Sequence, residues 1–295
     1  MVCFVILHYI AEEETIECIE SIINNVKGDK HIIVVDNASP NNSGKNLEKI
    51  YRDNNLVSIL ISEYNLGFAK GNNLGYKYAV DNYKPDFIVV MNNDMVIEQE
   101  AFIEEIIKSY NKYNYAIMGP DIYSTKKYYH QNPQTRKVLS LEELKQKYNK
   151  ICLKYHLRGL LYLKWKLNQF IPKMKIKEES NVKKDNYVNE VINNPLLHGS
   201  CYIFSKEFIR LNRESCFFDK TFMYMEAEIL HYQAAQNGLK VIYYPHAKII
   251  HHEDVSTDKE YSRQYEKSVF TLKCLKNSCR EFIKLIENDN KENGK

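Results

Sequence analysis

Residues 86–94 read DFIVVMNND. An unbroken apolar run, Phe87 to Met91, stops abruptly at Asn92, Asn93 and Asp94. A short continuous apolar run rich in β-branched side chains fits a strand covered on both faces. The three polar residues then stand at its carboxyl end. The same pattern recurs along the first half of the chain. Residues 2–9 (VCFVILHY), 31–36 (HIIVVD) and 56–62 (LVSILIS) are apolar runs of strand length, and 115–118 (YAIM) is a fifth. Between them, residues 11–26, 45–53, 68–83 and 98–113 carry apolar side chains at helical spacing. Ile16, Ile19, Ile22, Ile23 and Val26 are examples in the first, and Phe102, Ile103, Ile106 and Ile107 in the last. Such alternation predicts an α/β fold: a Rossmann-like, mostly parallel sheet flanked by helices.

The second half is less regular. Residues 126–187 are rich in Lys and Tyr and read as a basic, partly helical insertion. Strands are expected at 201–204, 241–244 and 248–251, and helices near 225–237 and 258–285. The expected organisation is one α/β domain over 1–257 with the insertion inside it. A helical C-terminal extension ending in a disordered tail, ENDNKENGK, would occupy 258–295. A length of 295 residues suits that arrangement.

The formal net charge is +3, too small for a nucleic-acid footprint, so no nucleic-acid partner is expected. Seven cysteines occur without a CxxC pair, which points to reduced thiols in the cytoplasm. The opening MVCFVILHYI lacks a basic leader and a small-residue cleavage site, and reads as a first strand. No apolar run approaches the ~20 residues that cross a bilayer.

In open α/β sheets, ligands bind beyond the carboxyl ends of the strands. Four polar clusters fall there: His8-Tyr9, Asp36-Asn37, Asn65-Leu66-Gly67 and Asn92-Asn93-Asp94. Each also has a plainer reading, because Asp and Asn start turns by bonding the backbone. Asp36 is suited to accept hydrogen bonds from a ribose hydroxyl or a base. Asp94 offers the oxygen that Mg²⁺ or Mn²⁺ prefers. Gly67, Gly71 and Gly75 line one helical face, where either a phosphate or a neighbouring backbone can approach closely. Glu226 and Glu228 lie in FMYMEAEIL, and His251, His252 and Glu253 follow the last expected strand.

Taken in order, ILHY, IIVVDNAS, NLGFAKGNN, FIVVMNNDM, GSCYIFSKEF, FMYMEAEIL and HHEDVST resemble the family 2 glycosyltransferases of the GT-A fold. The likeness is greatest to the rhamnosyltransferase-like branch that builds capsule, O-antigen and other bacterial surface polysaccharides. It spans residues 2 to 257 and leaves out the insertion. It implies an inverting, metal-dependent transfer of a sugar from a nucleoside-diphosphate donor to a hydroxyl of a saccharide or lipid-linked acceptor. By that resemblance His8, Tyr9, Asp36, Asn37, Asn65, Gly67, Phe68, Asn72, Asn92 and Asn93 shape the donor pocket. Asp94, with His251 and His252, would hold Mg²⁺ or Mn²⁺, and His198 and Gly199 would line the acceptor side. Glu226 matches the acid that acts as base, with Glu228 as runner-up, although Ala227 stands where the family carries Asp. A sugar-nucleotide pyrophosphorylase fits less well, because HYIAEEE follows the first strand in place of a basic, glycine-rich loop. A non-catalytic sugar-nucleotide binding protein is the alternative that Ala227 keeps open. A dinucleotide-binding protein ranks low for want of a phosphate-binding glycine loop.

Within the insertion, Leu153, Leu157, Leu160, Leu161, Leu167 and Ile171 share a broad helical face bordered by Lys154, Arg158, Lys166, Lys173 and Lys175, with Trp165 embedded. A basic amphipathic face suits either an anionic membrane surface, through residues 151–177, or packing on the sheet or in a homodimer. The matching location is the cytoplasm, at the inner face of the membrane.

Overall fold

At the centre of the sheet, β1 (Val2–His8) lies between β2 (Lys30–Asp36) and β4 (Phe87–Asn92), parallel to both. β3 (Val57–Ile61) continues the parallel block beyond β2. The register pairs His8 with Asp36, Leu7 with Asn92, and Asp36 with Ile61. Three runs of apolar sequence therefore end level, and their polar termini share one edge. The structure is a computed structural model and describes residues 1–160, 162, 163, 166, 186–253, 264–292 and 294.

On the other side of β4 the sheet is mixed. β9 (Cys201–Ser205) is antiparallel to β4 and to β6 (Ile117–Ser124), and β10 (Val241–His251) is parallel to β6. The two-residue β5 (Met95–Val96) closes the edge by antiparallel pairing of Met95 with His251. β7 (Tyr129–His130) pairs with β6, and β8 (Ile192–Asn193) with β10.

Two expectations change here. The strands expected at 241–244 and 248–251 are one, with an irregularity between Tyr244 and Lys248 where Pro245 withholds a ladder donor. The fifth strand runs on to Ser124, through the Gly119-Pro120 pair that reads as a breaker in sequence.

Side chains alternate across the sheet and fill two cores. On one face Phe4, Ile6, Ile32, Val34, Val89 and Met91 pack under α1 (Glu12–Asn25), α2 (Ser43–Tyr51) and α4 (Phe102–Tyr113). On the other, Cys3, Val5, Ile33, Ile88 and Val90 meet α3 (Gly67–Tyr83), α6 (Lys206–Leu211) and α7 (Glu226–Gln236). The glycines of α3 are explained by this packing. A Cβ on Gly71 would lie 2.5 Å from Leu7 Cδ1, and one on Gly75 2.5 Å from Val5 Cγ1. Two of the three glycines thus serve helix–sheet contact, as the plainer reading had it.

A third cluster joins α5 (Leu141–His156), α7 and α8 (Gln264–Glu292) through Leu144, Ile151, Ile229, Phe282 and Ile286. Ser140 caps α5 in a full capping box with Glu143. Residues 287–292, read as disordered tail, instead continue α8. Of the amphipathic face in the insertion, Leu153, Leu157 and Leu160 are exposed beside exposed Lys154 and Arg158. Leu161, Trp165, Leu167, Ile171, Lys173 and Lys175 lie outside the described residues. None of the seven cysteines forms a disulfide. Among the described residues no helix is long and apolar enough to cross a membrane.

Candidate active site

A cavity of about 650 Å³ opens over the shared strand edge. Of the residues singled out from sequence, Tyr9, Asn37, Asn65, Gly67, Phe68, Asn92, Asn93, Asp94, His198, Gly199, Glu226, Glu228 and His251 line it. Thirteen positions spread over 240 residues of sequence thus converge on one space.

Four do not face it. His8 is fully buried behind the wall, its two ring nitrogens within 2.7 Å of the Thr15 and Ser43 hydroxyls. Burial holds its pKa below the ordinary value, so it bridges α1 and α2 as a neutral ring. Asp36 is buried, accepts from the Ser39 amide at 3.2 Å, and lies so near Gly44 that a Cβ there would clash with its carboxylate. Asn72 donates to the Phe68 carbonyl from within α3. His252 turns toward Thr125, 3.0 Å away. These positions shape or flank the pocket rather than face it: His8 and Asp36 end strands, whose side chains alternate between faces, and Asn72 is turned back onto its own helix.

One wall of the cavity is built from asparagines. Asn37 Oδ1 accepts from the Leu66 amide at 2.7 Å, while its amide donates to Asn65 Oδ1 and to the Gly67 carbonyl. The loop after β2 is thereby clamped to the start of α3. Gly67 is required at that start. Its φ is +76°, and a Cβ would fall 2.2 Å from the Phe222 carbonyl oxygen, which also accepts from the Phe68 amide. Gly67→Ala adds a left-handed strain of about 1–2 kcal/mol to a backbone clash. It is expected to lower stability by about 2–4 kcal/mol, read as a drop in urea midpoint.

Asp94 and His251 come together through the β5–β10 pairing. Asp94 Oδ1 and His251 Nε2 are 3.2 Å apart, both buried, and neither forms a hydrogen bond of good geometry. The other ring nitrogen, Nδ1, is 2.7 Å from Gln131 Oε1. Gln131 Nε2 donates to Glu253, which orients the amide so that its oxygen accepts from His251. In its neutral form the ring would carry its proton on Nδ1 and present a lone pair at Nε2. Two orphaned buried donors 3.2 Å apart, one with its tautomer set by a neighbour, are what adjacent ligands of one cation require. The residues present thus fit a divalent ion, although among the described residues no cluster of three His, Cys, Asp or Glu side chains forms a complete site.

Glu226 and Glu228 open α7, following Tyr224 and Met225, both at φ 72°. In the middle of a helix, residues two apart point to different sides. At this first turn both carboxylates reach the cavity and both are buried. Their surroundings differ. Glu228 Oε1 accepts from Arg136 Nη1 at 2.6 Å. Glu226 has no cationic partner among the described residues: it accepts from Thr221 Oγ1 at 3.1 Å, and burial raises its pKa to about 7 against the pull of backbone and Thr221 hydrogen bonds. His198, which also lines the cavity, accepts at Nδ1 from the Ser200 amide. Burial, with the neighbouring His251 ring as a lesser cause, lowers its pKa to about 4, so it is neutral at physiological pH.

Several lining residues were not anticipated: Lys127, Gln131, Gln134, Arg136 and Lys147, all from the segment set aside as an insertion, and Phe270 and Leu275 of α8. The polar run QNPQTR at 131–136, unlike its Lys/Tyr-rich surroundings, was the one signal in sequence that this stretch serves the site.

A mixed sheet with a pocket at the carboxyl ends of its parallel strands, completed by an acidic helix start, defines a GT-A class α/β protein. The family model for glycosyl transferase family 2 matches residues 3–208, more than half of the chain, and the protein belongs to that family. A 118-residue stretch is 29% identical to the low-salt glycan biosynthesis hexosyltransferase Agl10 of Haloferax volcanii. That match covers 40% of this chain and 35% of the relative. Among solved structures, S. aureus TarS residues 1–349 in complex with UDP-GlcNAc is similar with a TM-score of 0.51 at 13% identity, over 88% of this chain and 61% of that one. The same fragment in complex with UDP gives 0.50 at 13% identity, over 85% and 60%. At such identities the likeness is one of fold.

Proposed function

We propose that the protein is an inverting glycosyltransferase that moves a hexose from a nucleoside-diphosphate donor to a hydroxyl of a saccharide or lipid-linked acceptor. One observation carries this reading. A buried carboxylate with its pKa near 7 shares a 650 Å³ cavity with an orphaned carboxylate–imidazole pair. A base poised near the working pH and a place for a diphosphate are the two things an inverting transfer needs. Complexes of the similar S. aureus fragment with UDP and UDP-GlcNAc support a nucleotide-sugar donor.

Asn37, Asn65, Gly67 and Phe68 form the donor wall. Asp94 and His251 would hold Mg²⁺ or Mn²⁺, which when bound offsets the negative charge of a departing nucleoside diphosphate. Glu226 takes the proton of the acceptor hydroxyl as its oxygen attacks the anomeric carbon. The leaving diphosphate departs from the opposite side, so the configuration inverts. Glu228, already neutralised by Arg136, positions the acceptor side. The burial and raised pKa of Glu226 favour this over a binding protein that has lost its base, since Ala227 leaves a carboxylate on either side intact. The finer assignments, a rhamnosyl donor, surface-polysaccharide synthesis, a homodimer and contact with the inner membrane face, rest on motif order and on the basic face of 151–177.

The test is thermal unfolding with a panel of nucleoside diphosphates, with and without Mn²⁺. A cognate nucleotide at a hundredfold excess over its Kd adds about 2.7 kcal/mol of stability. A flat response to every nucleotide with Mn²⁺ present would overturn the donor assignment.

A further inference from the structure

Among the described Lys and Arg side chains that line the cavity, Lys127 pairs with Glu253 and Arg136 with Glu228, and the third is left unexplained by the transfer reaction. Lys147 of α5 is half-buried and lines the space shared with Glu226, Glu228, Phe222 and Phe270. Among the described residues its hydrogen-bond partner is the thioether of Met225, 3.6 Å from Nζ. A thioether is a weak acceptor and leaves an ammonium largely unsatisfied. The glutamates of the cavity are engaged elsewhere. Glu228 is engaged by Arg136 Nη1, and Glu226 is held by Thr221.

The position is also unfavourable in itself. Met225 is the N-cap of α7, and the amino end of a helix carries partial positive charge. An ammonium gains nothing there from the helix. Folding has therefore placed a half-buried cation where no described acid pairs with it and the helix dipole does not balance it. Arg136 adds a second cation to the same wall, and Phe222, Phe270 and Leu275 supply apolar surface beside both.

From this arrangement we infer that the acceptor is anionic. It carries a phosphate or a carboxylate close to the hydroxyl that is glycosylated, and Lys147 is the residue that selects it. The inference rests on the transferase reading of the cavity and adds the acceptor's chemical class. The donor diphosphate is not the anion concerned. Its place is at Asp94 and His251 on the β5–β10 edge, whereas Lys147 stands beside the start of α7.

The experiment measures binding by calorimetry to full-length protein already saturated with Mn²⁺ and the nucleoside diphosphate that stabilises it best. The probes are glucose 1-phosphate, glucuronate and methyl glucoside. Either anionic probe is expected to bind about tenfold or more tightly than the neutral one, the scale of a charge-assisted hydrogen bond. The stronger of the two assigns the anion to phosphate or to uronate. Lys147→Gln is expected to remove the preference without changing nucleoside-diphosphate affinity, and Lys147→Arg to keep most of it. Equal binding of all three probes to the wild type, or an undiminished preference in Lys147→Gln, overturns the inference while donor binding stands. Failure of every nucleoside diphosphate to bind removes the donor reading and this inference with it.

Discussion

Glu226→Gln is expected to lower sugar transfer by about 10²–10⁴-fold, the usual contribution of a positioned general base. Nucleoside-diphosphate affinity should stay within about twofold, because the side chain acts on the acceptor proton and not on the donor. Glu228→Gln is expected to cost less, since its carboxylate is already committed to Arg136. Two pH measurements accompany the substitution. Transfer requires the ionised form, so kcat/KM should rise with pH through about 7 and level off above it.

Stability should move the other way. The folded protein keeps the Glu226 proton up to about pH 7, whereas the unfolded chain releases it near 4.5. Between those values the unfolded state is favoured as pH rises, and above 7 the whole cost of burying the charge is present. The shift corresponds to up to about 3 kcal/mol. Glu226→Gln has no charge to bury. Its stability relative to wild type should increase from pH 5 to pH 8, measured by urea unfolding at each. A difference that does not change with pH would show that Glu226 ionises as freely as an exposed acid. A variant with full transfer activity would remove it as the base.

The second large effect is expected at Asp94. Asp94→Asn preserves shape but withdraws the only carboxylate of the Asp94–His251 pair. Transfer should fall by about 10²–10³-fold, the scale seen when one preorganised charge-stabilising group is lost. The more telling readout is binding. In the wild type, Mn²⁺ should raise the thermal stabilisation given by a nucleoside diphosphate. In Asp94→Asn that increment should vanish while the metal-independent part remains. His251→Gln should behave similarly but less severely, since an amide oxygen still offers a neutral donor. An increment that survives in both variants would place the cation elsewhere or remove it from the reaction.

Much of the site was legible because its residues stand where strands end. The strands at 2–9, 31–36 and 86–92 announce themselves by unbroken apolar runs, and parallel pairing then forces their polar termini onto one edge. Asn37, Asn65, Asn92, Asn93 and Asp94 could be collected on that ground alone. His8 and Asp36 show its limit. Both stand at strand ends, yet alternation and the approach of Ser43, Thr15 and Gly44 turn them inward. Lys147 was not legible, and Gln131 and Arg136 were signalled only by the polar run QNPQTR. They belong to a stretch without strand–helix alternation, and their place depends on how α5 and the 126–136 segment pack on α7 and β10.

The motif DFIVVMNND determined a strand and the polar cluster at its end. Its repetition along the chain determined an α/β sheet with a rim where ligands bind. These are local matters of side-chain period and turn chemistry, and they survive any later packing. What Asp94 and Glu226 are each able to do was decided only in three dimensions. Asp94 meets His251 because a two-residue strand, too short to leave a trace in sequence, pairs across 156 positions. Glu226 is distinguished from Glu228 because one is buried without a cation and the other is met by Arg136 from a distant segment. Burial and charge pairing depend on what the rest of the chain brings within a few ångströms, and no reading of neighbouring residues contains that.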